Sequence, residues 1–232
     1  MTPSAAKPVQ LPLALPHRPA RGRVDFLVAP CNEEAVAWID RWPDWPGSAL
    51  LIHGPPGAGK THLLHVWAAA AGAPVWPAAE LAVAGLDARL GDRRAVAVDD
   101  VEAAREPEAL FHLYNLMRER GGTLLIAARA APAAWRIGPP DLITRLKAAP
   151  AAALGAPDDR LLAAVLGKLF SDRQLPVDPA VIDYLTLRMP RSFEAAGRLV
   201  ERLDRLALAE RKAITQPLAR RALEDLEDAA DG

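Results

Sequence analysis

The chain has 232 residues, with 28 Lys+Arg against 29 Asp+Glu and a formal net charge of -1. That balance excludes a protein that coats nucleic acid by bulk electrostatics, which needs a clear basic excess, though it leaves room for a local basic face. A single cysteine, Cys31, excludes an intramolecular disulfide framework and fits a reducing cytoplasm.

The length suits one large domain, or one medium domain plus a small one. No apolar run approaches the ~20 residues that span a bilayer, so no membrane association is expected. The stretch from Val9 to Leu15 is too short for a signal-peptide core and is interrupted by Pro12. The cations are 23 Arg and only 5 Lys, beside 48 Ala and 22 Pro. In such a composition a single Arg is weak evidence of function.

Residues 1–23 carry Pro3, Pro8, Pro12, Pro16 and Pro19, which forbids a regular helix and predicts a flexible tail. Asn32 is placed as the N-cap of a helix that runs to Trp42, with Ala35, Val36 and Ile39 on one face. An alternation follows. Strands are predicted at Ala49–His53, Ala73–Trp76, Ala95–Val98, Thr123–Ala128 and Ala151–Leu154. Helices are predicted up to Ala71, over Glu106–Arg120 and over Asp141–Lys147. Buried strands alternating with helices imply a parallel sheet covered on both faces. Beyond Pro157 the pattern turns wholly helical, with segments at Asp158–Asp172, Pro179–Met189, Ser192–Arg211 and Gln216–Asp228. Asp158, Asp178, Ser192 and Thr215 are their expected N-caps, and Leu199, Leu203 and Leu206 mark one apolar face. The expected organisation is therefore a tail over 1–23, an α/β unit over 24–156 and a helical unit over 157–232.

Gly54-Pro55-Pro56-Gly57-Ala58-Gly59-Lys60-Thr61 matches the phosphate-loop pattern and lies between a predicted strand and a helix. Glycines in such a loop let backbone N–H groups turn toward phosphate oxygens. Lys60 adds a point charge, and the Thr61 hydroxyl completes a Mg²⁺ ligand set. The strand Ala95-Val96-Ala97-Val98 ends in Asp99-Asp100. Asp99 suits a role in holding Mg²⁺, and Asp100 could orient the attacking water. His62 and His65 share a helix face but have no third ligand nearby, so they read as structural. His53 reads as a strand residue.

The run Gly59-Lys60-Thr61-His62-Leu63-Leu64-His65 with Asp99-Asp100 resembles the AAA+ ATPase module of the DnaA family of bacterial replication initiators. Asp25-Phe26-Leu27-Val28 followed by Asn32 resembles that family's adenine-pocket segment. Leu124-Leu125-Ile126-Ala127-Ala128-Arg129 corresponds to its sensor 1 strand, and Asp141-Leu142-Ile143-Thr144-Arg145-Leu146 to the segment carrying the arginine finger at Arg145. Pro190-Arg191-Ser192-Phe193 resembles the start of the sensor 2 helix, with Arg191 in the sensor position. The fold implied is an AAA+ phosphate-loop module, a parallel five-stranded α/β core with a C-terminal all-helical lid. The implied nucleotide set is Gly54 to His62 with Val28, Asn32 and Arg191; Thr61 and Asp99 hold Mg²⁺, and Arg145 and Asp100 are the catalytic pair.

The initiators continue into a helix-turn-helix DNA-binding domain, and the resemblance, from residue 24 to about 227, leads to the expectation of a protein without one. Its tail contains Gln10-Leu11-Pro12-Leu13-Ala14-Leu15, similar to the peptide that docks on the replicative sliding clamp. An extended apolar peptide of this kind needs a partner's groove to bury Leu11, Leu13 and Leu15. The truncated layout resembles the Hda (HdaA) regulatory inactivators. The resemblance implies a negative regulator of replication initiation that binds ADP or ATP and docks on the β-subunit clamp of DNA polymerase III. On the clamp it would stimulate hydrolysis of ATP bound to DnaA. It further implies a bacterial cytoplasmic protein at the nucleoid or replisome, contacting DNA mainly through the clamp, with self-association left open. One departure stands out: Ala128 replaces the polar residue expected in sensor 1, which points to weak intrinsic hydrolysis. Two rivals remain, a self-contained ATPase such as a helicase loader and a non-catalytic clamp adaptor.

Overall fold

The computed structural model describes residues 27–135, 138–210 and 212–228. Gln10, Leu11, Leu13 and Leu15 lie outside the described residues, as do Asp25 and Phe26. The order of elements is α1 (Glu33–Asp40), β1 (Ala49–His53), α2 (Lys60–Ala71), β2 (Val75–Pro77), α3 (Leu86–Leu90), β3 (Ala95–Asp99) and α4 (Pro107–Glu119). It continues with β4 (Thr123–Ala128), α5 (Pro140–Lys147), β5 (Ala151–Ala153), α6 (Asp159–Asp172), α7 (Pro179–Thr186), α8 (Phe193–Glu210) and α9 (Gln216–Asp228).

The five strands form one parallel sheet in the order β2-β3-β4-β1-β5. Because side chains alternate between faces, each central strand supplies two cores. Leu50, Ile52, Ala97, Leu125 and Ala127 pack with Val36, Ile39, Leu63 and Trp67 of α1 and α2. Leu51, Val96, Val98, Leu124 and Ile126 pack with Leu110, Leu113, Met117, Leu142 and Leu146 of α4 and α5. Trp45 stacks on Trp67 with ring centroids 5.5 Å apart and closes one edge of the first core. Helices α6 to α9 build a third core of their own around Leu162, Leu166, Phe170, Leu185, Leu199 and Leu203, with Leu206 half-buried against it. Among the described residues no helix is long and apolar enough to cross a membrane.

The α/β order and the helical C-terminal region agree with the sequence reading; several boundaries move. Helix α1 stops at Asp40, not Trp42, and α7 at Thr186, not Met189. Trp42 and Met189 each precede a proline, whose ring disfavours the helical region for the residue before it. Strand β2 begins at Val75, not Ala73, because the N–H of Ala73 still bonds to the carbonyl of Ala68 as α2 exits through left-handed Gly72. The short helix α3 has no signature in the sequence, since five residues are too few for a periodic signal. Asp158 and Asp178 do cap α6 and α7, accepting from Leu161 N at 2.7 Å and Ala180 N at 2.8 Å. Ser192 Oγ accepts from Ala195 N at 3.2 Å at the start of α8.

Candidate functional site

The phosphate loop joins β1 to α2 at the C-terminal edge of the sheet. Gly57 and Gly59 adopt φ of 72° and 91°, the left-handed region that disfavours any Cβ. A Cβ at Gly57 would also come within 1.9 Å of Ser192 Oγ, and the Phe193 N–H donates to the Gly57 carbonyl at 2.9 Å. The start of α8 therefore rests directly on the phosphate loop.

Lys60 Nζ donates to the carbonyls of Gly54 and Pro55 at 2.7 and 2.8 Å. Burial pushes the Lys60 pKa down, while the negative charges of Asp99 and Glu102 oppose that shift. A partly desolvated ammonium at a left-handed glycine loop is a site suited to an anion. Thr61 Oγ1 donates to Asp99 Oδ2 at 2.7 Å. That pair of hard oxygens suits Mg²⁺, which keeps its remaining ligands as water or substrate phosphate. Among the described residues no cluster of three or more His, Cys, Asp or Glu could hold a metal, so such an ion would need phosphate oxygens to complete its shell.

Asp99 Oδ1 accepts the N–H of Asp100 at 2.9 Å, and Asp100 itself sits at φ 49°. Its carboxylate meets Arg129, with Nε to Oδ1 and Nη2 to Oδ2 both at 3.2 Å. Glu102 Oε1 accepts the backbone N–H groups of Arg129 and Ala130 at 2.6 and 3.2 Å. Sequence reasoning placed Arg129 only as the end of the sensor strand. Arg129 and Asp100 directly follow the neighbouring parallel strands β4 and β3, an adjacency that the sequence does not display. Ala128 is buried, paired with His53, and contributes no polar group.

Between sheet and helical region lies a cavity of about 290 Å³. Leu27 and Asn32, Gly59 and His62 of the phosphate loop and α2, Val165, Lys168, Leu169 and Asp172 of α6, and Phe193 of α8 line it. Asn32 is buried but does not cap α1 through its side chain, as the sequence had suggested. Its Oδ1 accepts from Ala29 N at 2.9 Å and its Nδ2 donates to Leu27 O at 3.0 Å, so it clips the cavity wall into shape. Leu27 lines the cavity, while Val28 packs half-buried on the core of α1 and α2.

Two predicted arginines lie away from these walls. Arg191 is more than half exposed and pairs with Asp159 at 2.8 Å. Arg145, on α5, donates to Asn115 Oδ1 at 3.1 Å and lies 5.6 Å above the Phe111 ring of α4.

A family model described as the lid domain of Hda matches residues 159–223. The chromosomal replication initiator DnaA of Caulobacter sp. (strain K31) is 30% identical, over 83% of this chain and 47% of the initiator. DnaA of Caulobacter vibrioides is 29% identical over the same shares. The chain thus spans about half the length of the curated relatives it matches. Among solved structures, domain III of Thermotoga maritima DnaA superposes with a TM-score of 0.74 at 18% identity, covering 86% of this chain and 94% of that one. AMPPCP-bound DnaA from Aquifex aeolicus gives 0.67 at 18% identity, over 88% and 68%. The Holliday junction branch migration motor RuvB of Thermotoga maritima gives 0.61 at 18% identity, over 77% and 62%. With its five-stranded parallel sheet, phosphate loop and helical lid, the chain is an Hda-like, DnaA-related AAA+ protein.

Proposed function

We propose that this protein is a regulator of replication initiation that binds adenine nucleotide with Mg²⁺ and, docked on the sliding clamp, stimulates hydrolysis of ATP bound to DnaA. The observation that carries this reading is the placement of Arg145. A hydrogen bond to Asn115 and the ring of Phe111 hold its guanidinium half-buried on α5, and it is not among the residues that wall the chain's own cavity. A guanidinium so pre-organised is suited to a neighbour's phosphates, where its planar fork can neutralise charge developing on the transferred phosphoryl group.

The chain's own nucleotide has a separate place. Its phosphates would lie on the glycine loop and Lys60, Mg²⁺ between Thr61 and Asp99, and its base between Leu27 and α6. The nucleotide then ties the sheet unit, over 24–156, to the lid, over 157–232. Phe193, bonded to the phosphate loop and lining the cavity, transmits that tie. Arg191 would close onto phosphate by leaving Asp159. The match of the lid to Hda and of the module to DnaA supports DnaA as the partner. The segment from Gln10 to Leu15 supports the clamp as the tether and as the route to DNA. In this reading the protein works in the bacterial cytoplasm at the replisome.

A self-contained ATPase is the rival favoured by one observation, the intact set of Lys60, Thr61, Asp99 and Asp100. The experiment that separates them adds purified protein to ATP-loaded DnaA, with and without DNA-loaded clamp. Stimulation that needs the clamp supports the proposal; turnover of ATP by this chain alone, with no effect on DnaA, contradicts it.

A further inference from the structure

We propose that Arg129 is a positioning residue that occupies the Asp100 carboxylate and thereby keeps this chain's own nucleotide hydrolysis slow. The inference rests on reading Asp100 as the acid that orients attacking water. In hydrolysis the water oxygen bonds to the γ-phosphorus and the bridging bond to the β-phosphate breaks. The bonding pair leaves with ADP, and the water's proton passes to an acceptor oxygen. A carboxylate orients that water, or takes its proton, with a lone pair directed at it; each oxygen has two, and a guanidinium on both oxygens takes one of each and fixes where the others point.

In this molecule both Asp100 oxygens face one guanidinium, Oδ1 toward Nε and Oδ2 toward Nη2, each at 3.2 Å. Two parallel contacts fix the plane of the carboxylate as well as its position. The backbone at both ends of the pair is held. Asp100 is set by its left-handed backbone and by the bond from its N–H to Asp99 Oδ1. Arg129 is set by Glu102, whose Oε1 accepts its backbone N–H at 2.6 Å and that of Ala130 at 3.2 Å. Glu102 follows Asp100 by two residues, so the turn after β3 positions both members. The pair therefore forms from a fixed backbone at both ends, with only side-chain torsions left to order. Ala128, directly before Arg129, has no polar group to draw the guanidinium elsewhere.

The pair is also reversible. The side chains of Arg129 and Asp100 are 59% and 43% exposed, so water and salt can compete for both. Anything that draws Arg129 away frees the acid.

The test measures single-turnover ATP hydrolysis and ADP affinity for the full-length wild type and for Arg129→Ala, Arg129→Lys, Asp100→Asn and the Arg129→Ala/Asp100→Asn double variant. Arg129→Ala should raise the rate about five-fold, the scale of a well-organised exposed pair, with ADP affinity unchanged. Arg129→Lys, which keeps the charge and loses the fork, should fall between wild type and Arg129→Ala. The gain should vanish in the double variant, an outcome that a purely structural Arg129 would not give. A rate for Arg129→Ala at or below wild type overturns the inference, as does a gain that survives Asp100→Asn. Failure of wild type to stimulate DnaA would sink the regulatory reading while leaving this comparison intact.

Discussion

Lys60 illustrates how a single side chain carries both the electrostatics and the legibility of the site. Its position in the glycine motif identified it from sequence, and the structure adds that its ammonium is half-buried and held on two loop carbonyls. Lys60→Ala should weaken ADP binding about 10–100-fold, the value of one or two charge-assisted bonds, and calorimetry measures it directly. Equal affinity in wild type and variant would refute the assignment. Asn32 was harder to read. A polar residue before a helix predicts a cap, yet its side chain bonds backward to Leu27 and Ala29, a tertiary choice that spacing does not encode. Asn32→Ala should leave two backbone groups unpaired and cost about 2 kcal/mol, seen as a lower denaturant midpoint with an unchanged slope. The pairing of Asp100 with Arg129 was illegible for a similar reason, because it joins residues 29 positions apart through strand order.

Among elements, those with long apolar runs were legible and those shaped by their ends were not. Ala49 to Ile52 of β1 and Leu124 to Ala128 of β4 are continuous apolar stretches, buried on both faces, and their pattern alone places them. β5 is three alanines, ordinary in composition, and counts as a strand because Ala151 to Ala153 pair with Leu51 to His53. The contact between the phosphate loop and α8 is the element-scale feature with the clearest consequence. Gly57→Ala would place a methyl 1.9 Å from Ser192 Oγ at a φ of 72° and must displace the start of the lid. It is expected to reduce nucleotide affinity at least about ten-fold with little change in far-UV dichroism. Gly72→Ala is the control, since Gly72 is also left-handed, at φ 61°, but a Cβ there meets nothing within 4 Å. It should cost about 1 kcal/mol of stability and leave nucleotide affinity alone. Equal binding losses in the two variants would show that backbone strain, not the lid contact, governs affinity.

At the scale of the whole molecule, two cores flank the sheet and a third fills the helical lid, and a cavity has walls from both the sheet unit and the lid. The architecture was legible because strand and helix periodicities separate cleanly at Pro157. The cavity was only partly legible: Gly59 and His62 belong to the loop motif, whereas Val165, Leu169 and Phe193 read simply as helix residues until the fold brought them to the same cavity as Leu27. Arg145 does not line the cavity; it rests on Asn115 and Phe111 of α4, and the proposal gives it a second protein's phosphates. The most direct test of the account therefore compares Arg145→Ala with Asp100→Asn in one assay of DnaA-bound ATP hydrolysis with DNA-loaded clamp. The account predicts that Arg145→Ala keeps its own nucleotide yet loses nearly all stimulation, about 10³-fold or more for an arginine finger, while Asp100→Asn still stimulates. Full stimulation by Arg145→Ala together with loss in Asp100→Asn would contradict it.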